Sequence, residues 1–165
     1  MFWQAVPEDA GEEMIDRVHA DFTAHYSKHC AEHTKPYAGI PELLTALRDA
    51  GIRTAVVSNK PDYGVQTLIR DYFPDMFDYA VGEREGVRRK PAPDAVNAVL
   101  DALSVPCEQA VYIGDSDVDI ETAKNAGMPC ISVDWGFCST KFLIDHGAKL
   151  IISRPSELSE LLLHD

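Results

Sequence analysis

Positive charge is scarce in this sequence. Against 27 Asp and Glu there are only 15 Lys and Arg, which leaves a net charge of −12 over 165 residues and an isoelectric point near 4.8. Nucleic-acid backbones are held by clustered Lys and Arg, so the balance excludes nucleic acid as the expected partner. Long apolar runs are also missing. Nothing approaches the ~20 residues a spanning helix needs, and the first thirty residues lack the basic start and apolar core of a secretory signal. No membrane contact and a cytoplasmic location are therefore expected. The four cysteines, Cys30, Cys107, Cys130 and Cys138, form no C-x-x-C pair. Neither a zinc site nor a redox motif is suggested, and reduced thiols are the expectation. No G-x-G-x-x-G occurs either, which argues against a dinucleotide-binding domain.

With 45% hydrophobic residues, the chain has room for one domain with a proper core and only part of a second. Between Pro7 and His33, apolar Met14, Ile15, Val18, Phe22 and Tyr26 recur at three- and four-residue steps and predict an amphipathic helix. His25, His29 and His33 are spaced by four on one face of it. Such a ladder suits Zn²⁺ or Ni²⁺, but apart from Cys30 no residue is placed to close the shell, and a partly solvated face is the simpler reading.

The breaker-rich segment Lys35–Pro41 marks a boundary. Beyond it, Leu43, Leu44 and Leu47 predict a helix ended by Gly51, and residues 52–57 a buried strand. Pro61 is suited to open the next helix. Further strands are expected at 77–81, 110–113, 130–133 and 150–152. Helices are expected at 94–103, at 117–126 and from Pro155 onward. This alternation predicts an α/β, Rossmann-like parallel sheet with helices on both faces.

The most informative stretch is residues 111–121, where an apolar run ends in Asp115, Asp117, Asp119 and Glu121 within seven residues. A helix N-terminus favours one or two acids, since its dipole amounts to only about half a positive charge. Four point to a hard divalent cation such as Mg²⁺, which takes one or two carboxylates and fills its shell with water and phosphate oxygens. A solvated acidic helix start is the alternative. Ser58 and Asn59 follow another expected strand, and Lys90 precedes Pro91, which disfavours helical geometry and displays the lysine from an extended segment. Strand ends on one edge of a parallel sheet converge. Ser58 with nearby amides would then bind phosphate oxygens, Lys90 would neutralise phosphate charge, and Asp115 would ligate the metal. Asp119 would ligate directly or hold a metal-bound water. Individually, Ser58 or Asn59 could simply cap the following helix, and Lys90 could belong to a solvated basic loop with Arg88 and Arg89.

Taken in order, Val57-Ser58-Asn59-Lys60, Lys90-Pro91-Ala92-Pro93-Asp94 and Gly114-Asp115-Ser116-Asp117-Val118-Asp119 resemble the second, third and fourth motifs of the haloacid dehalogenase superfamily. Residues 36–42 and Asp134-Trp135-Gly136-Phe137 are similar to segments of its phosphoglycolate phosphatase group, whose members carry a helical cap. The resemblance implies Mg²⁺-dependent hydrolysis of a small phosphomonoester through an aspartyl-phosphate. It places Ser58, Asn59 and Lys90 at the phosphate, and Asp115 and Asp119 at the metal. A receiver domain has similar parts in a different order, with its acidic pair ahead of the Ser/Thr and the Lys.

One motif of that family is missing. Its members open with a strand bearing Asp-x-Asp-Gly, which holds the nucleophile and the general acid/base, and no Asp-x-Asp-Gly occurs in this sequence. Residues 1–35 are expected to be a remnant of the helical cap, and 36–165 an α/β core lacking its first strand. This chain alone is therefore expected to be inactive, as a truncated enzyme or as a non-catalytic relative that binds a phosphorylated ligand or a protein partner. The absent strand would lie between those at 52–57 and 110–113. Five buried residues at ~1.5–3 kcal/mol each make its loss worth about 10 kcal/mol, comparable with a domain's net stability of ~5–15 kcal/mol. The slot would be closed by direct pairing of its two neighbours, filled by a strand from another copy through self-association, or filled by the missing start of a longer protein.

Overall fold

The computed structural model describes residues 6, 7, 9–29, 32 and 34–163, without the side chains of Ser27 and Lys28. Two compact units are present, residues 1–35 and residues 36–165.

The first unit is built on one helix, α1 (Glu12–His29), whose first turn carries Glu12 and Glu13, the sign its dipole favours. Phe22 and Tyr26, one turn apart, stack with ring centroids 5.2 Å apart. His25 and His29 stack likewise at 4.3 Å, and His29 Nδ1 lies 2.5 Å from Glu32 Oε1. Cys30 and His33, the other members of the histidine reading, lie outside the described residues. Among the described residues no group of three or more His, Cys, Asp or Glu is arranged to hold a metal.

The second unit alternates helix and strand: α2 (Ile40–Asp49), β1 (Ala55–Pro61), α3 (Asp62–Tyr72), β2 (Tyr79–Glu83), α4 (Asp94–Leu103), β3 (Tyr112–Gly114), α5 (Asp117–Ala126), β4 (Cys130–Val133), α6 (Thr140–Asp145), β5 (Ile151–Ile152) and α7 (Pro155–Leu163). Every strand pair is parallel. The expected α/β architecture is present with shifted bounds: β2, β3 and β5 run 79–83, 112–114 and 151–152, where 77–81, 110–113 and 150–152 are expected. The strand expected at 52–57 begins at Ala55, because Gly51 turns with φ +74° and the Ile52 amide still closes the end of α2 on Leu47 O at 2.9 Å. Pro61 ends β1 rather than opening α3. The short helix α6 was not anticipated. It rests on a serine cap, Ser139 Oγ accepting the Phe142 amide, and on Leu143, which is fully buried.

The core gathers Leu43 and Leu47 of α2, Ile131 and Val133 of β4, Ile152 of β5 and Leu158 of α7. Each such side chain contributes roughly 1.5–3 kcal/mol by burial. The helices thereby pin β4 and β5 from one side, while α5 sets Thr122 and Ala123 into the interior, both fully buried.

The parallel ladder is interrupted. β1 pairs with β2 in one sheet, and β3 with β4 and β4 with β5 in another. Direct pairing of the strands flanking the slot, one of the three ways of closing it, is thus overturned. A pocket of about 250 Å³ is bordered by Val57 of β1 and by Tyr112, Ile113 and Gly114 of β3. The two strands are joined across it through side chains and loops, not backbone hydrogen bonds. Ile113, mid-strand, is left 40% exposed. No described helix is long and apolar enough to cross a membrane.

Candidate active site

The pocket beside β3 collects residues from five separate parts of the chain, around Tyr37, Val57, Lys90, residues 112–119 and residues 133–136. Lys90, Asp115, Asp119, Val57, Tyr112 and Trp135 are among those that line it. Lys90 and Asp119 form its centre. The ammonium lies 2.8 Å from Asp119 Oδ1, with the two side chains only 13% and 8% exposed.

Lys90 reaches this position from a turn. The Ala92 amide closes on Arg89 O at 2.9 Å, placing Lys90 and Pro91, joined by a cis peptide bond, at the turn's centre. The expected extended display of Lys90 is corrected accordingly: this hydrogen bond reverses the chain there. Asn59 fixes the turn from β1. Its Nδ2 donates to Lys90 O at 3.0 Å, and its Oδ1 accepts the Lys90 amide at 2.9 Å. That paired contact matches one amide against another and ties the end of β1 to the lysine. Ser58, next in line, accepts the Lys60 amide at 3.1 Å. Helix α3 has no side-chain cap, so neither Ser58 nor Asn59 serves as one. The neighbouring arginines do not share the pocket. Arg88 forks onto Asp94 with two contacts of 2.9 Å, and Arg89 pairs with Glu83.

The acidic cluster divides by geometry. Ser116 caps α5, which points Asp119, three residues on, back toward the strand end. All four acceptor positions of its carboxylate are taken. Oδ1 accepts from Lys90 and from the Tyr112 hydroxyl at 3.3 Å, and Oδ2 from Ser116 Oγ at 2.6 Å and the Asp115 amide at 3.3 Å. Burial pushes this carboxyl up, but the Lys90 charge and the hydrogen bonds from Lys90, Ser116 and Asp115 outweigh it, and it sits below the usual range. Asp115 differs. Its Oδ2 accepts the Phe137 amide at 2.8 Å, and among the described residues the other oxygen accepts no hydrogen bond. Asp117 and Glu121 do not line the pocket, and Glu121 pairs with exposed Lys124.

Glycines set how closely these parts approach. A Cβ on Gly136 would lie 2.1 Å from Asp115 Oδ2, and one on Gly114 2.2 Å from Asp119 Cβ. Each glycine is therefore the floor on which a carboxylate rests.

The structure thus brings together Lys90, Asp115 and Asp119 in the pocket, with Asn59 bracing the Lys90 main chain from outside it; Ser58, like Asn59, is not among the residues that line the pocket. Sequence reading missed Tyr112 and the hold of the 135–138 loop on Asp115. A tyrosine in an otherwise aliphatic strand is a signal for the first, since a buried hydroxyl needs a partner. The second depends on a contact across twenty-two residues, for which the local sequence gives no sign.

An oxygen of Asp115 that accepts no hydrogen bond from any described residue, in a pocket shared with Lys90, is a fitting donor for a hard divalent ion, which needs only one or two protein oxygens.

Known proteins resemble this chain over most of its length. The sequence pattern of the haloacid dehalogenase-like hydrolases matches residues 1–133. The N-acetylmuramic acid 6-phosphate phosphatase of Pseudomonas aeruginosa is 32% identical over 157 residues, covering 90% of this chain and 66% of the relative. The phosphoglycolate phosphatase of Aquifex aeolicus is 35% identical over 142 residues, covering 86% and 65%. A crystal structure from Lactobacillus delbrueckii subsp. bulgaricus, titled "putative phosphoglycolate phosphatase", superposes with a TM-score of 0.90 at 44% identity, over 97% of this chain and 67% of that one. The chain spans between about half and two thirds of the length of the curated relatives it matches. Its ordered motifs, its parallel α/β fold and these similarities together place the chain in the haloacid dehalogenase-like hydrolase family.

Proposed function

We propose that this chain carries the phosphate- and metal-binding half of a Mg²⁺-dependent phosphomonoester hydrolase of the phosphoglycolate phosphatase type. The observation that carries the reading is the shared pocket, in which one buried ammonium, Lys90, and two carboxylates, Asp115 and Asp119, converge from distant parts of the chain. In this reading Lys90 and the Ser58 hydroxyl hold phosphate oxygens, and Asn59 braces Lys90 while offering its second amide proton. Asp115 is the metal ligand. Asp119 serves the metal indirectly, by fixing the Asp115 amide and Lys90, because its own oxygens are already engaged. Bound Mg²⁺ would polarise the phosphoryl group and neutralise its charge. The substrate is a small phosphorylated metabolite, in keeping with the phosphosugar and phosphoglycolate named for the relatives.

The 165 residues hold no Asp-x-Asp-Gly, so the aspartyl nucleophile of the family is not among them, and the reading includes inactivity of this chain on its own. Residues 1–35 are read as part of a helical cap. Purified chain is expected to hydrolyse p-nitrophenyl phosphate with Mg²⁺ only at trace rate. Joining a strand-forming segment with Asp-x-Asp-Gly to it is expected to produce Mg²⁺-dependent phosphate release that Lys90→Ala abolishes. Hydrolysis by the unextended chain, or release indifferent to Lys90, refutes the reading.

A second reading, a non-catalytic relative that binds a phosphorylated ligand or a partner strand, is favoured by one feature. Among the described residues no strand pairs with the edge of β3 nearest Val57, and Ile113 on β3 is exposed. Self-association through this edge would show as a dimer in sedimentation that Ile113→Lys disrupts.

A further inference from the structure

The side chain of Tyr112 lies within the pocket, yet none of the proposed steps uses it. We propose that Tyr112 is a positioning residue for the phosphate-binding lysine, its hydroxyl bridging Lys90 and Asp119 so that the remaining ammonium N–H faces the pocket. The inference rests on the reading of the pocket given above.

The hydrogen-bond directions follow from donor chemistry. Lysine ammonium only donates and an ionised carboxylate only accepts. The Tyr112 oxygen, 3.2 Å from Lys90 Nζ and 3.3 Å from Asp119 Oδ1, therefore accepts a hydrogen bond from the lysine and donates its own O–H to the aspartate. With the direct Lys90 to Asp119 contact at 2.8 Å, the three groups close a triangle. Two of the three ammonium protons are fixed inside it, and the third is left for a ligand. The ring adds a second restraint, since Lys90 Nζ lies 5.9 Å from its centroid, the outer edge of cation–π range. Burial, then the charge of Asp119, push the phenol well above its usual range, which keeps the bridging proton in place.

A purely structural tyrosine needs none of this. Tyr112 starts a parallel strand opposite Cys130, and a phenylalanine would fill the same space. Without the hydroxyl, however, Lys90 Nζ keeps a single hydrogen-bond partner, Asp119, at the end of four flexible torsions. Its cost in lost freedom then falls on ligand binding, where preorganisation is worth most.

The test uses the chain with orthophosphate as the probe, in the presence of Mg²⁺. Binding is followed by ³¹P NMR, and ammonium order by ¹⁵N spectra of lysine-labelled protein, in which Lys90→Met assigns the Lys90 Nζ resonance. Tyr112→Phe is expected to weaken orthophosphate binding three- to tenfold. It should also broaden the Lys90 Nζ resonance through faster exchange, while the backbone spectrum stays folded. Unchanged affinity and an unchanged Nζ resonance in Tyr112→Phe, with binding lost in Lys90→Met, overturn the inference and leave the pocket reading standing. No orthophosphate binding by the unsubstituted chain, or equal binding by Lys90→Met, removes the pocket reading and the inference with it.

Discussion

Gly136→Ala gives the sharpest test of how Asp115 is held. The backbone at this glycine does not occupy the left-handed region, so alanine brings no conformational strain and its effect is steric alone. Its Cβ would sit 2.1 Å from Asp115 Oδ2, 2.5 Å from Asp115 Cβ and 2.6 Å from Cγ. Turning the carboxylate clears the first contact but not the second, because Cβ is fixed to the main chain. Asp115 or the 135–138 loop must move by about an ångström, and the Phe137 N–H···Oδ2 hydrogen bond is lost. Overpacking costs about 1–3 kcal/mol, and a hydrogen bond near solvent adds roughly 0.5–1.5 kcal/mol. Together they lower stability by about 2–4 kcal/mol. At ~2–4 °C per kcal/mol for a chain of this size, the melting temperature falls by about 5–15 °C. Disturbing a group that orients a metal ligand also weakens metal binding by roughly ten- to a hundredfold. Thermal unfolding followed by circular dichroism reads the first effect and calorimetric titration with Mg²⁺ the second. Gly11→Ala is the control, since a Cβ there meets nothing within 4 Å. A Gly136→Ala chain that melts and binds Mg²⁺ like the control refutes the proposed hold on Asp115. A parent chain that binds no Mg²⁺ refutes the metal role of Asp115 itself.

Three further outcomes follow from the same geometry. Lys90→Ala strands the buried Asp119 carboxylate and is expected to destabilise the chain by about 3–5 kcal/mol in urea unfolding, whereas truncating exposed Lys124, paired with Glu121 at 3.2 Å, should change it by under ~1 kcal/mol. The carboxyl of Asp119 lies below its ordinary value when folded, so its ionisation favours the folded state above the unfolded value of about 3.9. That contribution is lost as pH falls below it and through the folded value. Stability curves of the parent and Asp119→Asn, which lacks this ionisation, should therefore differ by a nearly constant amount from pH 5 to 8 and converge in acid; a gap that persists undiminished to pH 2 contradicts the pairing. Asn59→Ala removes both hydrogen bonds to the Lys90 main chain. It is expected to raise amide exchange at Lys90 at least tenfold by hydrogen-exchange mass spectrometry while leaving the protection of β4 unchanged.

How much of this was legible beforehand differs from element to element. The helices at 94–103 and 117–126 and the strand at 130–133 appear at their expected bounds, because their signals are local: apolar periodicity, a serine cap and a terminal glycine at φ +72°. Boundaries shifted where the deciding hydrogen bond is less apparent from the residues, as where Ile52 closes α2 instead of starting β1. Helix α6 is one turn and a half with a single buried leucine, too short for periodicity to register.

For the site, the sequence by itself determined the chemistry available: a lysine held at Lys-Pro, carboxylates at a strand's end, a serine and an asparagine at another, and no Asp-x-Asp-Gly. Only the tertiary structure decided how those groups divide the work. It gave Asp119 to Lys90, left an oxygen of Asp115 open, turned Asn59 into a brace and brought Tyr112 into the pocket. It also left the strands in two sheets with a pocket between Val57 and β3. Residue types and spacing fix which donors and acceptors exist, but which donor meets which acceptor depends on contacts tens of residues apart. Those contacts are set by packing of the core, which is built from α2, β4, β5 and α7.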